Sequence, residues 1–316
     1  MAEASIPVNL FNPGQVIACM GFLEAAEVLA GGSEAGFDWS NAGNVQFRLR
    51  TSGDDNPFSR VLGFLASSKI RRYAPTGYTD PQPKRNKSAA VDDNEDDAPA
   101  GDAPDVSEAF PGPTADTTAL PIRILLDRPG EAGLIDVGHW ADASGRNDFK
   151  LYSGNRSAAG IARAMLHGTR EKPKKGQSVG EVRTLGLRAL WRQHRSEIER
   201  DPFGITTPMG GSFNLDPRGA WTGIDAGYSP NDQGHSLSAS PVVEILAAIG
   251  LEHARPDEYE TRRVRYGAWG CLLPPVLARP TLAGVRLAVP QRLFSFELAL
   301  SGKNKLITFA QEETHA

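Results

Sequence analysis

Cysteine is almost missing from this chain: 316 residues carry two, Cys19 and Cys271. That excludes a disulfide scaffold, and both read as buried free thiols in a reducing compartment. No uninterrupted run of about 18 apolar residues occurs, so no membrane-spanning helix and no membrane partner are expected. Met1-Ala2-Glu3-Ala4 has neither the basic start nor the apolar stretch of a secretory leader, which points to the cytoplasm. Six histidines are scattered at 139, 167, 194, 235, 253 and 315, with no HxxxH or CxxC spacing, so neither a metal site nor any other cofactor is expected.

Catalytic motifs are equally scarce. Gly210, Ser212 and Asn214 approach a nucleophile elbow, but Asn stands where its final glycine belongs. Gly31-Gly32 and the glycines between Gly219 and Gly227 lack the Lys-Ser/Thr or strand-turn-helix context of a phosphate loop. Asp54-Asp55 reads as a solvated turn. The expectation is a protein that binds macromolecules and is not an enzyme.

What is present is charge, unevenly spread. The net charge is −4, yet Val91 to Glu108 alone holds eight acidic residues and no basic one. Of the 38 Asp and Glu, 30 remain outside that stretch against 34 Lys and Arg, so the body is mildly basic at +4. Clustering of such an excess matters more than its size.

Along the chain, Pro13 to Ala30 places Val16, Cys19, Met20, Leu23 and Ala26 at helical spacing before the Gly31-Gly32 stop. Val45 to Arg50 alternates as a strand with one wet face. Asn56-Pro57 opens a second helix expected to run into Lys69-Ile-Arg-Arg-Tyr73. From Ala74 to Ala119 the pattern dissolves into Pro, Gly, Asp, Ser and Thr, the composition of a disordered insert. Strands are expected at Pro121–Leu126 and Ile135–Trp140, forming a hairpin. Helices follow at Arg156–His167 and Glu181–Arg200, separated by the basic loop Thr169–Ser178. Pro202 to Gly234 reads as a long ordered loop or short hairpins, and Pro241–Ile249 as a helix ended by Gly250. Strands are expected at Val264–Trp269, Val285–Val289, Leu293–Leu300 and Lys305–Phe309. The class is α+β with mixed sheets. The expected division is an N-terminal region (1–73 with 120–200, interrupted by insert 74–119) and a loop- and β-rich C-terminal region (201–316).

Basic residues supply the candidate sites. Thr169 to Arg200 holds nine Lys or Arg against four Glu. On one continuous helix, Arg188, Arg192 and Arg195 share a stripe, while Leu187, Trp191, His194 and Ile198 share another. A guanidinium row fits phosphate oxygens; the competing reading is a solvated helix paired with Glu181, Glu197 and Glu199. Lys172, Lys174 and Lys175 extend the cluster. Lys69, Arg71 and Arg72 with Tyr73 suggest phosphate contacts beside a base-stacking ring, or cations gathered at a helix C-terminus. Lys84-Arg85-Asn86-Lys87 reads as an electrostatic tether. The acidic run reads either as a spacer or as an occupant of a basic groove. Asn214, Arg218 and Asn231 lie in a glycine- and aromatic-rich loop where amide side chains can read adenine edges, or where the loop is merely pinned by Phe213 and Trp221.

Ile6-Pro-Val-Asn-Leu-Phe-Asn-Pro-Gly-Gln-Val-Ile-Ala-Cys-Met-Gly-Phe-Leu-Glu24, Phe37-Asp-Trp39 and the Val45–Arg50 strand resemble the start of a short large-subunit-like protein of type I CRISPR effector complexes (Cascade), subtype I-U or I-G. Ser212-Phe-Asn-Leu-Asp-Pro-Arg218, Asp225-Ala-Gly-Tyr-Ser-Pro-Asn231 and the run Tyr266–Leu300 resemble that family too. The resemblance implies a non-catalytic subunit working with other Cascade subunits, a guide RNA and double-stranded target DNA. Such a subunit reads a short flanking motif, helps open the duplex and recruits a separate helicase-nuclease, while guide pairing reads the target. Two alternatives stand beside it. One is a backbone or RNA-processing subunit of the same complex, with a ferredoxin-like core and His167 as its candidate catalytic group. The other is an unrelated enzyme acting on a small ligand in the glycine-aromatic loop.

Overall fold

The computed structural model describes residues 1–79, 104–107, 119–126, 133–141, 149–152, 156–171, 180–209, 211–220, 237–301 and 304–313. The chain begins with β1 (Ala2–Pro7), α1 (Pro13–Ala30), β2 (Glu34–Asp38), β3 (Gln46–Thr51) and α2 (Pro57–Ser67). β3 lies at the centre of an antiparallel sheet ordered β1-β3-β2. Its alternation does what the sequence asks: Phe47, Leu49 and Thr51 are buried, and Arg48 and Arg50 turn outward to Glu3 and Glu34.

The acceptor side chain of Asn12 takes the Gln15 amide at 3.1 Å, Pro13 sits in the first turn, and Gly31 ends α1 at φ 71°. Every residue from Pro13 to Ala26 is buried, so α1 is a core helix rather than an amphipathic one. Its length and mean hydropathy of 1.2 would suit a bilayer, a property the run-by-run reading of the sequence missed; 83% of that window is buried inside the protein. Its main partner is α6 (Pro241–His253), likewise buried along nearly all its length. Gly250 does not end α6. It lies inside the helix, where any Cβ would run into the Ile17 carbonyl, as a Cβ on Gly21 would run into that of Leu246. Two glycines thus let the two backbones cross at close range.

A second sheet, ordered β5-β4-β6-β7, is built from β4 (Lys69–Pro75), β5 (Asp105–Ser107), β6 (Ile122–Leu125) and β7 (Leu134–Val137). Here the helix expected to run through Tyr73 is corrected. α2 stops at Ser67, and the alternation of exposed Lys69 and Arg71 with buried Ile70 makes the next seven residues a strand. The insert expected at 74–119 is shorter at both ends. Ala74 is buried in β4, Asp105–Ser107 pairs in parallel with Tyr73–Pro75, and Ala119 is buried. The disorder expected for the rest, with the Lys84–Lys87 tether, lies outside the described residues.

Next come α3 (Ala158–His167), β8 (Thr169–Arg170), β9 (Val182–Thr184), α4 (Leu187–Gln193), α5 (Arg195–Arg200), and a two-stranded ribbon of β10 (Thr207–Pro208) and β11 (Ser238–Ala239). The single helix expected over Glu181–Arg200 is therefore a strand and two short helices, broken at His194 with φ −127° and ψ 33°. After α6 the chain forms β12 (Asp257–Glu260), β13 (Arg263–Trp269), α7 (Pro275–Leu282), β14 (Gln291–Ser301), β15 (Asn304–Ile307) and β16 (Gln311–Glu312), which make an antiparallel sheet. Val285–Val289 is not a strand, because the Val285 amide bonds back to the Pro280 carbonyl at 2.9 Å. Cys19 is buried as expected, but Cys271 is only half-buried; both are free thiols.

The class is α+β, with seven helices among the described residues. One contiguous apolar core joins residues from both sides of position 200/201. Ties of high sequence separation cross it. The Tyr266 hydroxyl donates to the Leu10 carbonyl at 2.6 Å, and Trp269 Nε1 donates to the Ala35 carbonyl at 2.6 Å. Arg279 on α7 clasps Glu24 on α1 with two bonds of 2.7 and 2.8 Å.

Candidate nucleic-acid interface

The end of α2 is the local cause of the site. A helix C-terminus leaves carbonyls without intrahelical donors. Ser68 Oγ donates to the Phe64 carbonyl at 2.8 Å. Arg188 on α4 then reaches across, its Nε donating to the Ala66 carbonyl and its Nη2 to the Ser68 carbonyl, both at 3.0 Å. His167, the last residue of α3, places Nε2 3.1 Å from the same Ser68 carbonyl. Arg163, one turn earlier, donates to the Ile70 carbonyl at 3.3 Å. Cations at a helix C-terminus are favourable on dipole grounds alone. The anchoring of Arg188 has a second effect, because neutral carbonyls fix its guanidinium without cancelling its charge.

The result is a ridge of Arg163, His167, Arg188 and exposed Lys69, with Arg192 exposed one helical turn beyond Arg188. His167 feels the grouping. Burial is the main reason its pKa falls below the ordinary value; the Ser68 hydrogen bond opposes this, and the charges of Arg188, Arg163 and Lys69 add to the fall.

The expected row of three arginines on one helix face is corrected. Arg188 is an internal clamp. Arg195 lies beyond the break at His194, stacked 4.4 Å over the Trp191 ring and paired with Glu199 at 3.1 Å. Of the three, Arg192 alone stands exposed with no such engagement among the described residues. On β4, Arg71 pairs with Asp105 at 3.3 Å, and Arg72 is half-buried. Tyr73 is not a stacking platform: its ring is buried, with the Arg123 guanidinium 4.7 Å above it. Lys172, Lys174, Lys175 and Asn231 lie outside the described residues.

The glycine-aromatic loop is also occupied by the fold where it is described. Asn214, at φ 63°, donates its amide nitrogen to the carbonyls of Leu151 at 3.2 Å and Lys305 at 3.3 Å, and accepts from Ser212 Oγ at 2.8 Å. Both ends of its side chain are engaged, so it clips three segments together and is not a base reader. Arg218 is bound to Asp216 by Nε and Nη2 and donates to the Phe203 carbonyl at 2.8 Å, so it too is structural. Beneath them lies Glu244 on α6, which the sequence reading passed over. Its Oε1 accepts the amides of Leu215 and Asp216 at 3.0 and 2.8 Å, and its Oε2 accepts that of Phe213 at 2.7 Å. Burial, reinforced by the nearby Asp216 charge and opposed by the three amides, pushes its pKa up to about 8. A lone Glu inside Pro-Val-Val-Glu-Ile-Leu-Ala-Ala was the signal that could have found it.

Among the described residues no three His, Cys, Asp or Glu side chains gather as a metal ion would require. No protein-family model, curated protein or solved structure matches this chain.

Proposed function

We propose that this chain is a non-catalytic subunit of an RNA-guided CRISPR surveillance complex, laying the Lys69–Arg192 ridge against nucleic-acid phosphates. The observation that carries the reading is the fixed ridge itself. Arg188 and His167 are anchored by carbonyls, and two exposed cations stand beside them on a backbone that α2, α3 and α4 hold in place. A guanidinium fixed as that of Arg188 is offers charge to phosphates without being ordered at the moment of binding, and Lys69 and Arg192 add exposed charge beside it. The family resemblance of Ile6–Glu24, Phe37–Trp39, Val45–Arg50, Ser212–Arg218, Asp225–Asn231 and Tyr266–Leu300 supplies the context: guide RNA, double-stranded target DNA, the other subunits and a recruited helicase-nuclease. Sequence readout by Asn214 is not part of the proposal, because its amide is already used.

The test is a titration of labelled target duplex against the assembled complex at several salt concentrations. Lys69→Ala with Arg192→Ala should weaken binding about equally for every sequence. The change should also flatten the dependence of log K on log salt by up to about two phosphate contacts, at ~0.9 each. Unchanged affinity and slope would remove the ridge from the interface. The isolated chain should cleave neither DNA nor RNA, with or without divalent metal; cleavage abolished by changing one of its own carboxylates would overturn the non-catalytic assignment.

A further inference from the structure

The outer face of β4 carries Lys69 and Arg71 two residues apart, and strand alternation puts both on the same side. Lys69 starts the strand next to the Ser68 carbonyl where Arg188 and His167 are anchored, and Arg71 carries a carboxylate, with its Nη1 3.3 Å from Asp105 Oδ1. Asp105 arrives there because β5 pairs in parallel with β4, Tyr73 opposite Asp105 and Pro75 opposite Ser107. It also belongs to the Val91–Glu108 stretch, which holds eight acidic residues and no basic one. The neighbouring strand contributes a second cation, Arg123, in register with Arg71. That residue has its own carboxylate, Asp136, in two bonds of 2.8 and 2.9 Å. The charge of Asp105 is only a lesser influence on Arg123 after Asp136, and its ion pair falls on Arg71.

We infer that Asp105 is a built-in competitor: it occupies Arg71 as a phosphate surrogate, and nucleic acid gains a further contact on the ridge by displacing it. The inference rests on the proposed ridge and adds its regulation. The contact has the properties such a competitor needs. It is a single bond between partly exposed groups, with side chains 52% and 29% accessible, on a three-residue strand. An exposed pair of this kind is weak enough to exchange. A phosphate, carrying more acceptor oxygens, fits the guanidinium fork better than one carboxylate oxygen does.

The experiment is a double-mutant cycle on the full chain, read by binding of a fluorescein-labelled DNA duplex at several salt concentrations. Asp105→Asn should tighten binding about two- to fivefold, the span expected for one exposed ion pair. It should also steepen the salt slope by about one phosphate contact, ~0.9. Asp105→Glu should leave both near the wild-type values. In an Arg71→Gln background, Asp105→Asn should have no effect. A gain that persists without Arg71 would make Asp105 a diffuse repulsive charge and overturn the inference, as would no gain from Asp105→Asn in a variant that melts at the wild-type temperature. If Asp105→Asn lowers that temperature, Arg71→Gln in the otherwise wild-type chain decides: weaker binding with a flatter salt slope is expected, and unchanged affinity and slope would overturn the inference. Loss of binding on changing Lys69 and Arg192, with no response at Asp105, would keep the ridge and reject only its regulation. No duplex binding by any variant would reject both.

Discussion

Glu244 shows how much one side chain organises. Its carboxyl accepts all three amides of the 213–216 turn, Oε1 taking two and Oε2 one. Glu244→Gln keeps the first pair but sets an amide nitrogen against the Phe213 N–H, leaving a buried donor unsatisfied. Chemical denaturation at neutral pH should show a loss of about 1–3 kcal/mol. The pH dependence has a definite sign. The folded-state pKa, about 8, lies above the ordinary value of 4.5, so the folded chain holds a proton that the unfolded chain releases in between. The stabilisation from that proton is complete below about 4.5 and is lost as pH rises towards 8. The stability gap between wild type and Glu244→Gln should therefore shrink from pH 5 to pH 8. A gap that stays constant over this range would mean Glu244 is ionised throughout.

At the scale of elements, the α1–α6 crossing makes the sharpest claim. Gly21→Ala puts a methyl carbon into the Leu246 carbonyl, on a contact made by backbone and so unable to yield by a rotamer change. The helices must separate, at a cost of about 1–3 kcal/mol or more. Ala at an exposed helical glycine should instead be stabilising. Urea midpoints of Gly21→Ala and Gly250→Ala check this, and a neutral result for either would mean the crossing is slack. This is also where the limits of sequence reading become physical. α2, α3, β3 and β13 were legible from their apolar periods, and α1 because Asn12-Pro13 and Gly31-Gly32 bracket an apolar stretch. Gly250 was read as a stop because a glycine that ends a helix and one that lets another helix approach look alike in one dimension. β1 and β2, with few large apolar residues, gave no period. The α2-to-β4 change at Ser68 was hidden because Lys-Ile-Arg-Arg-Tyr suits either state. The ridge was legible only as a surplus of cations. Which cation clamps a carbonyl and which faces outward depends on how α3 and α4 meet the end of α2, and no spacing within one element encodes that.

For the whole molecule, the decisive property is a core that ignores the expected boundary at 200/201. α1 is buried chiefly by α6, Trp269 reaches the Ala35 carbonyl, and Glu24, only 3% exposed, receives Arg279 from the far end of the chain. Residues 1–200 alone would expose the α6-facing side of α1, a helix of mean hydropathy 1.2. Residues 201–316 alone would expose the matching side of α6. Neither half should fold by itself, and mixing the two should restore helical circular dichroism that neither shows alone. The intact chain should unfold in one transition, with fluorescence from Trp140 and Trp269, monitored in single-tryptophan variants, following the same urea curve. Arg279→Ala should shift both probes together by about 1–3 kcal/mol, since it leaves the Glu24 carboxylate buried without its guanidinium while the pair's partial exposure softens the loss. Separate midpoints at the two tryptophans would show two cooperative units instead. The ridge on α2, α3 and α4 would then be free to rearrange independently of the C-terminal sheet, and the proposed phosphate contacts would lose the rigid support that the proposal assigns them.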